Sequence, residues 1–406
     1  MQFFGRRFLL LISTRKSDIL YKRLYSSNPT IPLQRTCLYD FHVAQGGKMV
    51  PFAGWEMPVQ YKDSIPASHT HVRSSVGIFD VSHMLQTRVT GKDCRRYMES
   101  LVVADVEGLS ENHGTLSVFT NNKGGIEDDL IITNTGDGYL YVVSNAGCRD
   151  KDFANMKRQA EKYRSDGMDV QVEMISNALL AVQGPQMTKV LQPGIDHDLS
   201  SLPFMTSTMA TVFGIPDCRV TRCGYTGEDG VEISVEKKHA VNLVEKLLLS
   251  QEAEVRLAGL GARDSLRLEA GLCLYGNDIN EETTPVEASL LWVIAKRRRQ
   301  TADFPGASII LEQIKSKPKR KRVGFISTGP PARAGTQIFD ESGSKSIGSL
   351  TSGCPSPSLK KNISMGYVET PFSKTGTCVK FEIRKKKYEA EVVKMPFVPS
   401  KYYILK

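Results

Sequence analysis

The chain lacks most of the short motifs that announce a chemistry. It has no G-x-x-x-x-G-K-[ST] loop, no H-E-x-x-H and no G-x-S-x-G elbow. The pair Gly259 and Gly261 runs straight into Ala-Arg-Asp and completes no dinucleotide fingerprint. Phosphate-loop, metal-hydrolase and acyl-enzyme mechanisms are therefore poor fits. The eight cysteines are scattered without a Cys-x-x-Cys pair, which reads as free thiols. Cys218 and Cys223 find no matching His or Cys pair, and the seven histidines form no metal set, so no metal is expected. His69 and His71 could share a strand face, but a third ligand is not evident. Beyond the N-terminus nothing approaches the roughly 20 apolar residues of a spanning helix, and no membrane partner is expected. Carboxylates, arginines and aromatics are left to do the work.

Acids are nearly absent from the first 35 residues. Arg6, Arg7, Arg15, Lys16, Lys22, Arg23 and Arg35 face only Asp18, so most of the net charge of +9 sits there and the body is mildly basic. Mixed with Phe3, Phe4, Phe8 and Leu9 to Leu11, that composition predicts a mitochondrial transit peptide over residues 1–30 and a matrix location. Arg23 before Tyr25 and Ser26 resembles a matrix-processing spacing.

At 406 residues the chain exceeds one core and predicts two or three domains. Strand-like pieces (Thr87–Val89, Thr115–Phe119, Leu130–Thr133, Tyr139–Ser144) alternate with turn signals, and Phe153, Met156 and Ala160 at helical spacing predict a helix over 150–163. A second mixed region follows, with strands near 178–183, 218–222 and 230–235 and helices near 238–250 and 262–272. Lys-Arg-Arg-Arg at 296–299 and the basic run at 315–322 bracket a change of character, and 296–322 reads as a basic, solvated linker or a docking face for an acidic partner. Beyond it, short strands with Gly, Ser and Pro turns predict a β-domain over 323–406. No aromatics interleave the basic runs, so nucleic acid is not expected.

One stretch stands out. In G-G-I-E-D-D-L (124–130) three acids stand at the mouth of a strand. Alternation groups Asp128 with Ile126, Leu130 and Ile132, and Asp129 with Glu127, Ile131 and Thr133. One acid must therefore face whatever the sheet covers, but the pattern does not say which, nor whether Asp128 and Asp129 share a role. Glu127 is expected to point to solvent.

With G-W-E-M-P-V-Q-Y (54–61), F-D-V-S-H-M (79–84), G-Y-T-G-E-D-G-V-E-I (224–233), A-R-D-S-L-R-L-E-A-G-L-C-L-Y-G-N-D-I (262–279) and T-S-G-C-P-S-P-S-L (351–359), this stretch closely resembles the aminomethyltransferase, or T-protein, family of the glycine cleavage system. The resemblance runs from about residue 36 to the C-terminus. It implies an α+β fold: a three-domain cloverleaf around a central opening, with two interleaved α+β domains of antiparallel sheets (31–295) and a C-terminal β-barrel. It also implies a reaction. The aminomethyl group on the lipoyl arm of the H protein gives its one-carbon unit to tetrahydrofolate, yielding 5,10-methylenetetrahydrofolate, ammonia and the dihydrolipoyl carrier.

The resemblance assigns roles by position. Asp129 is the catalytic carboxylate beside the reacting nitrogens. Glu232 accepts the paired N–H groups of the pterin in a fork, and Arg263 suits a folate oxygen or carboxylate. Met84 and Trp292 contact the aromatic parts of the ligand, and Asn145 lies near the reacting end. Tyr225 lines the same wall, and Tyr402 reaches the folate if the C-terminal tail folds back. Arg263 and Arg267, one turn apart, share a helix face, and one of the two is expected to be structural, pairing with Asp264 or Glu269; Glu228 and Asp229 are expected in a solvated turn. A folate-binding relative with another job is the nearest rival, but the flavin domain of the related dehydrogenases is missing and the paired aspartates are present.

Overall fold

Alternating apolar residues set the inner faces of three sheets, and residues 32–405 are described in the computed structural model. The expected presequence, residues 1–30, lies outside them. The first sheet runs in the order His113–Thr120, Ile126–Asn134, Leu140–Ser144, Leu85–Thr90 and Gln171–Met174, antiparallel throughout. The helix Arg149–Ser165 covers one face: Met156 and Ala160 are buried with Leu130, Ile132 and Val142, and Phe153 packs against them.

The second sheet has six strands, ordered Ser207–Val212, Ile215–Thr221, Gly230–Glu236, Asn177–Gln183, Val76–Asp80 and Val255–Leu257. Only its last pair is parallel. Leu243, Val244 and Leu247 of the helix Ala240–Leu248 close a core with Leu180, Val182 and Ile233. The opposite face receives Ala262 and Leu266 from the helix Leu260–Glu269. Beyond residue 319 six strands close into a barrel around Phe325, Ile338, Val379 and Phe381, and closure leaves no open edge. The fold is thus the expected α+β arrangement of three bodies. No described helix is long and apolar enough to cross a membrane.

Residues 296–322 differ from an open linker. They form the helices Lys296–Thr301 and Ala307–Ser316 and begin the first barrel strand at Arg320. Their charges are not all solvated either. Arg298 is fully buried, 2.9 Å from both Glu99 and Asp303, while Arg297 holds Glu99 and reaches Asp105 at 2.7 Å. The run looks solvated because Glu99, which both arginines share, lies 198 and 199 residues away in sequence.

Hydrogen bonds from buried charged groups also bind the barrel to the rest. Arg267 reaches Asp278 at 2.6 Å, Asp264 at 2.8 Å and Ser352 Oγ at 2.8 Å. Its second expected partner, Glu269, instead accepts from His69, Arg73, Ser356 and Ser358. His69 and His71 lie on the helix Ile65–Ser74, where His71 turns to the carbonyls of Val76 and Glu254.

Candidate active site

A cavity of about 1430 Å³ opens where the three bodies meet. All eight residues singled out above line it: Met84, Asp129, Asn145, Tyr225, Glu232, Arg263, Trp292 and Tyr402. They come from both sheets, the Leu260–Glu269 helix, the segment before the barrel and the C-terminal tail.

The Asp129 strand begins at a turn that needs two glycines. Gly124 has a φ of +79°, and a Cβ on Gly125 would stand 1.8 Å from the carbonyl oxygen of Glu281. Downstream the alternation is clean: Asp128 is fully buried on the helix side, and Asp129 opens into the cavity. Glu127 is only partly buried and is absent from the cavity wall.

Asn145, just past the neighbouring strand, joins the two aspartates. Its side-chain amide donates to Asp129 Oδ1 at 2.8 Å, Asp128 Oδ1 at 2.9 Å and the Asp129 carbonyl at 3.1 Å; its backbone N–H donates to Asp128 Oδ2 at 2.9 Å. Burial, then the Asp128 charge, pushes the Asp129 carboxyl up to about 7, against the pull of the Asn145 amide. Glu127 plays no part in that shift. Burial also raises Asp128.

The opposite wall carries Glu232 and Arg263. Glu232 stands on a central strand, paired in register with Thr221 and Ala181. Burial raises its carboxyl, and the Arg263 charge partly offsets this. Among the described residues neither group has an ion-pair partner; Arg263 lies over the Tyr225 ring at 4.7 Å. The Tyr225 hydroxyl donates to the Cys273 carbonyl, which fixes the ring. Trp292 is 64% exposed at the mouth. Arg267, one turn after Arg263, is spent on Asp278, so the two arginines divide between structure and cavity.

The tail does fold back. Phe397 N and Val398 N donate to the Glu269 carbonyl, Lys401 N to the Gly227 carbonyl, and Phe204 N to the Tyr403 carbonyl. Tyr402 stacks on Phe204 with centroids 4.0 Å apart and planes 11° from parallel. Such a pair contributes about 0.5–1.5 kcal/mol. Phe204→Ala should therefore loosen the tail, read as faster hydrogen exchange at the Lys401 amide, which donates to the Gly227 carbonyl. Unchanged protection would show that backbone bonds alone hold it.

Glu228 and Asp229 correct the expectation of a solvated turn. Glu228 is buried against Arg73 (3.0 Å) and Lys401 (3.2 Å), and Asp229 forms a two-point pair with Arg222 at 2.9 and 2.5 Å. The partners of Glu228 lie more than 150 residues away, beyond any local pattern, whereas Arg222 is only seven residues from Asp229. The sequence reading also missed buried groups around the cavity. His83 lines it with Nδ1 lacking a hydrogen-bond partner, and burial lowers its imidazole to about 4. Asp152 is buried behind Asp128, and burial pushes its carboxyl up to about 9. A signal for Asp152 existed: it precedes Met156 and Ala160 at intervals of four, a carboxylate on an apolar stripe. Asp128, Cys148 and Asp152 bring oxygen and sulfur atoms within 4.8 Å of one another, and burial raises the Cys148 thiol.

Two family models cover most of the chain: the GCVT N-terminal domain matches residues 38–298, and the glycine cleavage T-protein C-terminal barrel domain matches residues 320–399. The chain is 59% identical over 374 residues to the mitochondrial aminomethyltransferase of Homo sapiens, covering 92% of each chain. It is 58% identical over 387 residues to that of Gallus gallus, covering 95% of this chain and 98% of the relative. The crystal structure of glycine cleavage system aminomethyltransferase T from Bartonella henselae superposes with a TM-score of 0.85 at 39% identity, over 92% of this chain and 100% of that one. Barrel, cavity and family models agree, and the chain belongs to the aminomethyltransferase (T-protein) family of the glycine cleavage system.

Proposed function

We propose that this chain, an aminomethyltransferase that passes a one-carbon unit to tetrahydrofolate, takes the unit from a lipoylated H protein in the mitochondrial matrix. One observation carries the reading: Glu232 and Arg263, a carboxylate and a guanidinium without an ion-pair partner among the described residues, face the same cavity as the Asn145-held Asp129. Glu232 accepts the two N–H groups of the pterin, and Arg263 meets a ligand oxygen. Tyr225, Met84 and Tyr402 flank the flat rings, and Trp292 stands at the mouth. A folate nitrogen attacks a carbon flanked by sulfur and nitrogen, and ammonia departs. The reaction asks for a negative group where cationic character develops, and Asp129 supplies it. No step requires a metal. The basic residues Arg297, Arg298 and Arg320, held by acids of this same chain, argue against nucleic acid as partner. Residues 1–30 serve as the import signal, 31–295 as the folate-binding region and 323–406 as the barrel domain, its first strand starting at Arg320.

The test is transfer itself. Mixed with aminomethyl-loaded H protein and tetrahydrofolate, the protein should yield methylenetetrahydrofolate and ammonia in equal amounts, undiminished by a chelator. No product, or loss on chelation, would overturn the corresponding part. The pH dependence adds a second check. The raised Asp129 carboxyl ionises only as pH climbs through about 7, so kcat/KM should rise on an acid limb centred there. Asp128→Asn removes the like charge and should move that limb to lower pH. A limb that stays in place would sever Asp129 from it.

A further inference from the structure

Behind the cavity wall, carboxylate oxygens of Asp128 and Asp152 lie within 4.8 Å of each other in a region sealed from solvent, the residues 0% and 3% exposed. Asp128 points down from its strand, and Asp152 points up from the first turn of the helix Arg149–Ser165. Asp128 accepts both the backbone and side-chain N–H groups of Asn145. The buried Ser144 hydroxyl stands beside Asp152 and favours its charged form, against burial and the Asp128 charge, which raise it. A carboxylate has no hydrogen to give. Contact between two buried acids is therefore a hydrogen bond only while one of them keeps its proton.

We propose that Asp152 is a positioning residue for the transfer reaction: it holds a proton that it donates to Asp128, and so fixes the amide of Asn145 on Asp129. The proton stays on Asp152 because Asp128 takes both Asn145 donors, which favour its charged form. The positive end of the helix favours one negative charge in this corner, most directly on Asp152 in its first turn, and the two Asn145 donors outweigh it by placing that charge on Asp128. The groups that face the pair support one charge rather than two. Cys148 offers a protonated thiol; the Lys151 ammonium turns away to Glu281 at 2.8 Å and Tyr275 at 3.2 Å. On the cavity side stand Asp129, Tyr225, Arg263 and Cys273. Burial holds Asp152 up to about 9, above the range in which Asp129 ionises.

This inference rests on the role given to Asp129, but its first test does not. Infrared difference spectra at pH 8 should show the carbonyl stretch of an un-ionised carboxylic acid. Asp152→Asn should remove that band, while Asp129→Asn and Glu232→Gln keep it. Absence of the band from the unmodified protein, as a cation between two carboxylates would cause, overturns the proposal. So does its survival in Asp152→Asn. The second test reads positioning. Asparagine still offers an N–H to Asp128, so Asp152→Asn should keep kcat near its original value, whereas Asp152→Ala should lower kcat about tenfold or more with little change in KM. Equal losses in the two variants, or no loss in Asp152→Ala, overturn the role. If transfer fails in the unmodified protein while the band behaves as expected, the functional reading falls and the shared proton stands.

Discussion

Asp129→Asn should cost about 10²- to 10⁴-fold in turnover, the range for one positioned acid–base group, while the protein still folds and binds tetrahydrofolate. Asparagine keeps the size of the side chain and its Oδ1 acceptor for the Asn145 amide, so the wall holds its shape. What disappears is the charge. Stability separates loss of chemistry from loss of fold. The folded-state carboxyl lies far above its ordinary range, so folding favours the protonated acid. Its stabilising contribution is complete below the ordinary carboxylate pKa and is lost as pH rises through about 7. The uncharged variant suffers no such loss. It should melt no lower than the parent at pH 5 and higher at pH 8, while turning over far more slowly at both. Near-normal turnover at pH 8 would remove Asp129 from the mechanism; a lower melting temperature there would show that its charge stabilises the fold.

Much of this site was legible in the sequence, and the reasons are local. Alternation along Ile126–Thr133 put Asp128 and Asp129 on opposite faces, and the structure keeps that division because both neighbouring strands pin the register. The stripe of Phe153, Met156 and Ala160 gave the covering helix for the same kind of reason. What alternation could not supply was which face met the cavity; there the family resemblance selected Asp129, the face that opens into it. The misses share a cause too. Arg298 finds Glu99 across 199 residues, and Glu228 is held by Arg73 and Lys401. No window of sequence contains both ends of such a pair, so a buried ion pair reads as a solvated charge. The tail was illegible for the same reason, since Tyr402 is ordered by Phe204 and by carbonyls of distant turns.

Glu232→Ala tests the other end of the cavity, with affinity as its readout. A carboxylate that accepts two N–H groups in a fork contributes about 2–3 kcal/mol to binding, so tetrahydrofolate affinity should fall about 30- to 150-fold. Burial already raises the Glu232 pKa without an ion-pair partner, so the empty cavity holds a charge that the ligand relieves. The same argument predicts the companion variant. Glu232→Gln offers one acceptor and one donor where the pterin presents two donors, so it should lose nearly as much as the alanine. Its donor opposes a ligand N–H, and an uncompensated buried donor is penalised. Arg263 then becomes informative: with Glu232 neutral, its guanidinium lacks the one carboxylate charge that offsets its own burial. Arg263→Met in the Glu232→Ala background should therefore cost more affinity than Arg263→Met alone, because the unoffset guanidinium gains more from a ligand oxygen, a coupling that a double-mutant cycle measures directly. Additive losses would mean that the two groups grip the ligand independently. Unchanged affinity in Glu232→Ala would mean that the pterin lies elsewhere in the cavity.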